Sequence, residues 1–131
     1  MSEDILRISL ITPTYNEREN IPILAEEIFA VIAQYPEIDL ELIVVDDNSP
    51  DGTGDLAEEL KDRYPIQVVH REGKLGLGSA VMAGFAHSDR ELLGVIDADL
   101  SHDPVVLPQL ILGLRDHDLA IGSRYDPESK V

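Results

Sequence analysis

Near-continuous apolar runs recur along the chain at residues 8–12, 42–46, 66–69, 92–96 and 119–121. Strict alternation marks a strand with one wet face, whereas runs this continuous predict strands covered on both faces. Between them the apolar period changes. In NIPILAEEIFAVIAQY, residues Ile21, Leu24, Ile28, Val31 and Ile32 fall on one helical face. GDLAEELKDRY follows a turn rich in Asp, Gly and Pro, and GLGSAVMAGFAHS opens on glycines. PVVLPQLILGLRDH places Pro104 at a natural first helical position. The order βαβαβαβαβ predicts an α/β fold with a mostly parallel, doubly wound sheet and right-handed crossovers.

Ligands of such sheets bind at the carboxyl ends of the strands. Each apolar run is followed there by a polar cluster: PTYNE, DDNSPDGT, HREGKLGLG, DADLSHD and GSRY. Polar turns occur without any ligand. The density of carboxylates is what points to a site.

Composition narrows the classes. The chain has 131 residues, 44% of them hydrophobic, which is enough for a packed core. It has no cysteine, which excludes disulfides and thiolate metal sites and fits a reducing setting. The formal net charge of -16 argues against nucleic acid or an anionic membrane held by bulk charge. An anionic ligand would need a cation, a helix N-terminus or a few placed basic side chains. MSEDILRISLITP lacks the basic start and apolar run of a signal peptide, and no stretch approaches the roughly 20 apolar residues of a membrane span.

The clusters carry chemistry and bland alternatives side by side. Asp97 and Asp99 would point the same way if the strand continued through them. Converging carboxylates need a compensating cation, and a divalent ion with hard oxygen ligands, Mg²⁺ or Mn²⁺, fits. Alternatively, Asp99 caps the turn into the helix at Pro104. Asp47 could accept hydrogen bonds from a base or ribose, or it could start an Asx turn with Asn48. NSPDGT reads better as a turn. Arg71, Lys74 and the glycines of REGKLGLGSA suit an anion at a helix start, although this is neither a Walker A nor a dinucleotide fingerprint. Gly76 and Gly78 could instead allow close helix–sheet packing. Tyr15 and Glu17 could pack on and contact a base, or Asn16 or Asn20 could simply cap the next helix. Arg124 is a permanently charged donor suited to phosphate.

Taken in order, ITPTYNERENI, VVDDNSPDGT, REGKLGLGSA, DADLSHDP and IGSRY resemble the inverting family 2 glycosyltransferases of GT-A fold. Within these, they look most like the polyprenol-phosphate mannosyltransferases of dolichol-phosphate mannose synthase type. The resemblance runs from Ile8 to Tyr125. It implies a GT-A, Rossmann-like sheet, GDP-mannose as donor and a polyprenyl (dolichyl) phosphate as acceptor. It places Pro13, Tyr15, Glu17, Val45 and Asp47 around the nucleoside. It makes Asp97, Ala98 and Asp99 the DxD-type motif at the nucleotide-sugar. Asp99 with Ser101 would hold Mg²⁺ or Mn²⁺, and Arg124 would face phosphate, so Asp99 and Arg124 take the catalytic roles. Many relatives carry glutamine where this chain has Ser101, and the shorter side chain would ligate through water.

The implied chemistry is consistent with these residue types. GDP leaves only once its diphosphate charge is neutralised, which a metal on Asp99 would supply. A phosphate monoester has a second pKa of about 6 and is already a good nucleophile at neutral pH. No general base is therefore required. The resemblance further implies that residues 1–131 form one donor-binding domain. The acceptor and membrane segment of the family is expected beyond it. Cytoplasmic placement, peripheral to a membrane, is expected without an anchor in this chain.

Other readings remain open. A family 2 transferase with another donor such as UDP-glucose, or a non-catalytic nucleotide-sugar-binding fragment, would carry the same motifs. A response-regulator receiver shares the acidic LIVVDDNSPD start, but here a strand and helix precede it.

Overall fold

In a computed structural model describing residues 5–72 and 76–113, four parallel strands form one sheet in the order β3-β2-β1-β4. The strands are β1 (Leu6–Thr14), β2 (Ile38–Asp46), β3 (Ile66–His70) and β4 (Leu92–Val95). Helices α1 (Ile21–Ile32), α2 (Thr53–Leu60) and α3 (Leu77–Ala86) make the crossovers, and α4 (Leu107–Gly113) follows a short 3-10 turn at Pro104–Val106. The expected strand at 119–121 and the GSRY block with Arg124 lie outside the described residues, as does Lys74.

Residue parity explains the layering. Ile8 and Leu10 of β1 and Ile38, Leu40, Leu42 and Val44 of β2 face one side of the sheet. There they pack with Ile21, Leu24, Ala25 and Ile28 of α1, Ala57 and Leu60 of α2, and Leu107 and Ile111 of α4. Ile11, Ile43 and Val45 face the other side, against Ala80 of α3. Both faces of the central strands are therefore dry, as continuous apolar runs require.

Close approach of α3 depends on Gly84. A Cβ there would lie 2.5 Å from Cγ2 of Ile11, whereas Gly76 and Gly78 have no neighbour within 4 Å of theirs. The close-packing role expected for Gly76 or Gly78 belongs to Gly84. Gly76 serves the turn instead, with φ of +104° just before α3.

β4 runs beside β1 only from Ile8↔Leu92 to Ile11↔Val95. After Ile96 donates its N–H to the Ile11 carbonyl at 2.9 Å, no further ladder pairing joins the two. β1 continues with β2 as far as Thr14↔Asp46. Pro13, which lacks an N–H, sits where the β4 side of the strand is already unpaired. The sheet order reverses direction between β1 and β4, so the crevice at their carboxyl ends is the topological switch point.

Candidate functional site

Two neighbouring aspartates end β2, and they serve different purposes. Asp46 is buried and saturated: Thr14 Oγ1 donates to it at 2.7 Å, Ser49 N–H at 3.0 Å and Ser49 Oγ at 2.6 Å. Gly54 is needed beside it, since a Cβ there would come within 2.9 Å of Asp46 Oδ2. Asp46 rather than Asp47 therefore organises the turn. Asp47, also buried, turns toward α3 and accepts a two-point ion pair from Arg71, with Nε–Oδ1 at 2.6 Å and Nη2–Oδ2 at 3.0 Å. That partnership raises the Arg71 pKa above its ordinary value, chiefly through the hydrogen bonds to Asp47. The Arg71 charge is thus held by Asp47.

The NSPDGT block braces the loop after β1. The N–H groups of Asn16, Glu17 and Arg18 donate in turn to Ser49 Oγ (2.9 Å), Thr53 Oγ1 (3.0 Å) and Asp51 Oδ2 (3.2 Å). Asp51 Oδ1 also accepts from the N–H (3.0 Å) and hydroxyl of Thr53. Partial desolvation raises the Asp51 pKa, but the hydrogen bonds from Thr53 and Arg18 outweigh it and leave the carboxyl below its ordinary range. Asn16 and Asn48 both adopt left-handed backbone, φ of 59° and 57°, as short polar turn residues can. Asn20 occupies the N-cap position of α1, but its side chain donates to Glu17 Oε1 at 2.9 Å rather than capping the helix.

A cavity of about 120 Å³ opens on this rim, lined by Pro13, Thr14, Tyr15, Asp47, Gly76, Leu77 and Ala80. It brings together three residues expected around a nucleoside: Pro13, Tyr15 and Asp47. Tyr15 is 39% exposed and Leu77 64% exposed, so the walls are apolar and partly open, with one carboxylate among them. A flat, partly polar ring fits such a surface. Glu17 lies instead in a neighbouring depression of about 370 Å³ with Asn16, Arg18, Glu19, Asn20 and Asp51. Val45 is fully buried against α3, so its side chain belongs to the core and only its backbone borders the rim.

The fourth cluster departs from strand geometry. β4 ends at Val95, so Asp97, Ala98 and Asp99 form a turn rather than an alternating strand end. Ala98 is anchored in the main core with Ile96. Leu100 takes φ of 66°, a strained value for a bulky residue, while its side chain packs on the same core. Asp97 and Asp99 are thus fixed by burying Ala98 and Leu100 on either side of Asp99. Asp99 Oδ1 accepts from the Ser101 N–H at 3.0 Å. Hydrogen bonding from the Ser101 hydroxyl and then its N–H, aided by His102, holds the Asp99 carboxyl below its ordinary range. Asp97 Oδ2 stands 3.7 Å from His102 Nε2. The cap of the following 3-10 turn is Asp103, which accepts from the Val105 N–H at 3.1 Å, so Asp99 is not that cap.

The donor set suits a hard divalent cation: two carboxylates, with the Ser101 hydroxyl beside Asp99. Among the described residues no three His, Cys, Asp or Glu side chains converge as a closed metal cage. An Mg²⁺- or Mn²⁺-type ion commonly takes one or two protein carboxylates and completes its shell with water and substrate phosphate, so an open pair is compatible. Asp97, Asp99 and Ser101 follow β4, while Pro13 lies at the end of β1 and Tyr15 and Asp47 follow β1 and β2; the switch-point crevice lies between the two groups.

Two features escaped the sequence reading. The Asp47–Arg71 pair joins residues 24 apart, and the brace between the first two loops uses residues 33 to 36 apart. No local spacing rule connects either.

Comparison with known proteins matches the family described as "Glycosyl transferase family 2" to residues 9–131. The chain is 44% identical to a dolichol-phosphate mannosyltransferase of Pyrococcus furiosus over 96% of its own length and 35% of that protein. It is 44% identical to the polyprenol monophosphomannose synthase of Mycolicibacterium smegmatis over 95% of its length and 48% of that protein. The chain therefore spans between about a third and a half of these relatives. Among solved structures, it resembles the mannosyltransferase PcManGT from Pyrobaculum calidifontis, in complex with GDP-Man and Mn²⁺, with TM-score 0.74 and 26% identity. That similarity covers 86% of this chain and 33% of the other. The mannosyl-3-phosphoglycerate synthase of Rubrobacter xylanophilus shares the fold at TM-score 0.70. The expected GT-A architecture is the one observed.

Proposed function

Because the chain belongs to glycosyl transferase family 2, we propose that it is the donor-binding part of a mannosyltransferase that moves mannose from GDP-mannose to a polyprenyl phosphate. The observation that carries this reading is the shared rim: a small, largely apolar cavity with Asp47 on one side of the switch point, and the Asp97–Asp99 turn on the other. Pro13 and Tyr15 form the wall on which the base rests, and Asp47 accepts from its edge or from the ribose. Glu17, in the adjoining depression, stands at the outer margin of the nucleoside. The backbones of Val45 and Ala98 border the ligand while their side chains anchor the rim to the core.

Asp97 and Asp99, with Ser101 acting directly or through water, would hold Mg²⁺ or Mn²⁺. When bound, the ion neutralises the diphosphate and makes GDP a competent leaving group. Asp99 lies on the turn beside the Ser101 hydroxyl, and the hydrogen bonds from Ser101 hold its carboxyl below the ordinary range. Arg124, outside the described residues, is assigned to the phosphates, where a guanidinium offers forked donors. The acceptor phosphate brings its own nucleophilicity, so the site requires no general base. Residues 1–131 act as one donor-binding domain, and acceptor selection is assigned to the remainder of the family's length. No helix among the described residues is long and apolar enough to cross a membrane.

The test is transfer from GDP-mannose or UDP-glucose to a short polyprenyl phosphate, followed by mass spectrometry, with the chain extended to the length of its relatives. A mannosylated lipid phosphate formed only from GDP-mannose supports the reading. Glucosyl transfer, or no transfer with tight nucleotide binding, points to another donor or to a binding role.

A further inference from the structure

Arg71 has three bonding directions, and each is used. Nε and Nη2 grip the two oxygens of Asp47, Nη1 donates to Ser79 Oγ at 2.7 Å, and Nη2 also reaches the Gly76 carbonyl at 3.4 Å. The side chains of Arg71 and Asp47 are only 10% and 8% exposed. This is a pre-organised clamp behind the cavity's one carboxylate, joining the end of β2 to the first turn of α3.

A carboxylate has about four lone-pair sites, and a forked guanidinium takes the two that face the same way. The two that remain point apart, one from each oxygen. Asp47 can then accept one donor from a base but cannot present a second fork to two adjacent donors. Resting on the nucleoside reading above, we infer that Arg71 is a positioning residue that restricts Asp47 to a single hydrogen bond with the base. On a guanine edge, Asp47 reads the ring N–H and leaves the exocyclic amino group unread. Lysine at position 71 would keep the charge but hold only one oxygen, which frees the Asp47 carboxylate to turn and present both oxygens to the base.

Calorimetric titration of the full chain with GDP, inosine diphosphate (guanine without its amino group) and inorganic pyrophosphate tests this. Arg71→Lys raises the ratio of GDP to inosine diphosphate affinity by about tenfold, the size of one hydrogen bond to a charged group. Pyrophosphate affinity stays unchanged, and Ser79→Ala, which cuts only the third bond of the clamp, leaves the ratio as in the wild type. Asp47→Asn, with Arg71 intact, weakens GDP and inosine diphosphate by the same factor. An unchanged ratio in Arg71→Lys, an equal shift in Ser79→Ala, or a loss in Asp47→Asn confined to GDP overturns the inference. If the wild-type chain binds pyrophosphate but neither nucleotide, the nucleoside reading itself falls.

Discussion

Asp51 shows how one exposed carboxylate shapes the site at a distance. It binds the Arg18 N–H and the Thr53 N–H and hydroxyl, so the loop carrying Tyr15 is held to the loop carrying Asp47. Its pKa is lower in the folded chain than the ordinary 3.8. A carboxyl depressed on folding contributes stability that is present above the unfolded value and is lost as pH falls through the folded one. Asp51→Asn is therefore expected to be less stable than the wild type at neutral pH, by less than about 1 kcal/mol because the group is exposed. The gap should close as pH drops below about 3.8, measured by urea unfolding at a series of pH values. A gap that is constant with pH would separate the charge of Asp51 from the brace. Asp46, by contrast, is satisfied by Ser49 of its own turn and by Thr14 at the end of β1, and its burial is structural.

Among the elements, α3 is the one whose position decides the cavity, because Gly76, Leu77 and Ala80 form one wall. Gly84 allows it to lie on Ile11, and Gly84→Ala forces methyl against methyl. That substitution should cost about 1–3 kcal/mol and loosen nucleotide binding along with stability. Gly78→Ala meets nothing within 4 Å and should be neutral or stabilising by up to about 1 kcal/mol through helix propensity. Thermal unfolding of the two variants side by side checks this, and equal losses would contradict the packing account.

The same scale shows what the sequence could reveal. The central strands β1 and β2 were legible because both of their faces are buried over the apolar runs, although each begins before its run, at Leu6 and Ile38; β3 and β4, half-buried at the sheet edges, were legible from their apolar residues alone. The helix after residue 104 was legible from Pro104, although its first residues form a 3-10 turn before α4. The DxD cluster was legible as two carboxylates at a strand end but not as geometry. Strand periodicity stops at Val95, and the direction of the two carboxylates is set by the burial of Ala98 and the left-handed Leu100. The site residues Pro13, Tyr15 and Asp47 do share a cavity, while Glu17 borders a separate one. Arg71 looked like a free phosphate ligand because its partner, Asp47, lies a whole crossover away.

At the scale of the molecule, the governing fact is a chain of net charge -16 expected to take a ligand that is itself an anion. Among the described residues, the basic side chain on the cavity's carboxylate, Arg71, is already paired with it; Lys74 and Arg124 lie outside them. The parallel sheet supplies the place, since its order reverses between β1 and β4, where the rim of one half meets the turn of the other. On the proposed reading, a divalent cation between that turn and a diphosphate would convert repulsion into a bridge. Calorimetry of GDP-mannose binding in Mn²⁺ and in chelator, with the wild type and Asp99→Ala, tests this most directly. The account predicts binding of the wild type in Mn²⁺ that falls by at least about tenfold in chelator and to the same low level in Asp99→Ala regardless of metal. Equal affinity in chelator, or full metal-dependent affinity in Asp99→Ala, would contradict it.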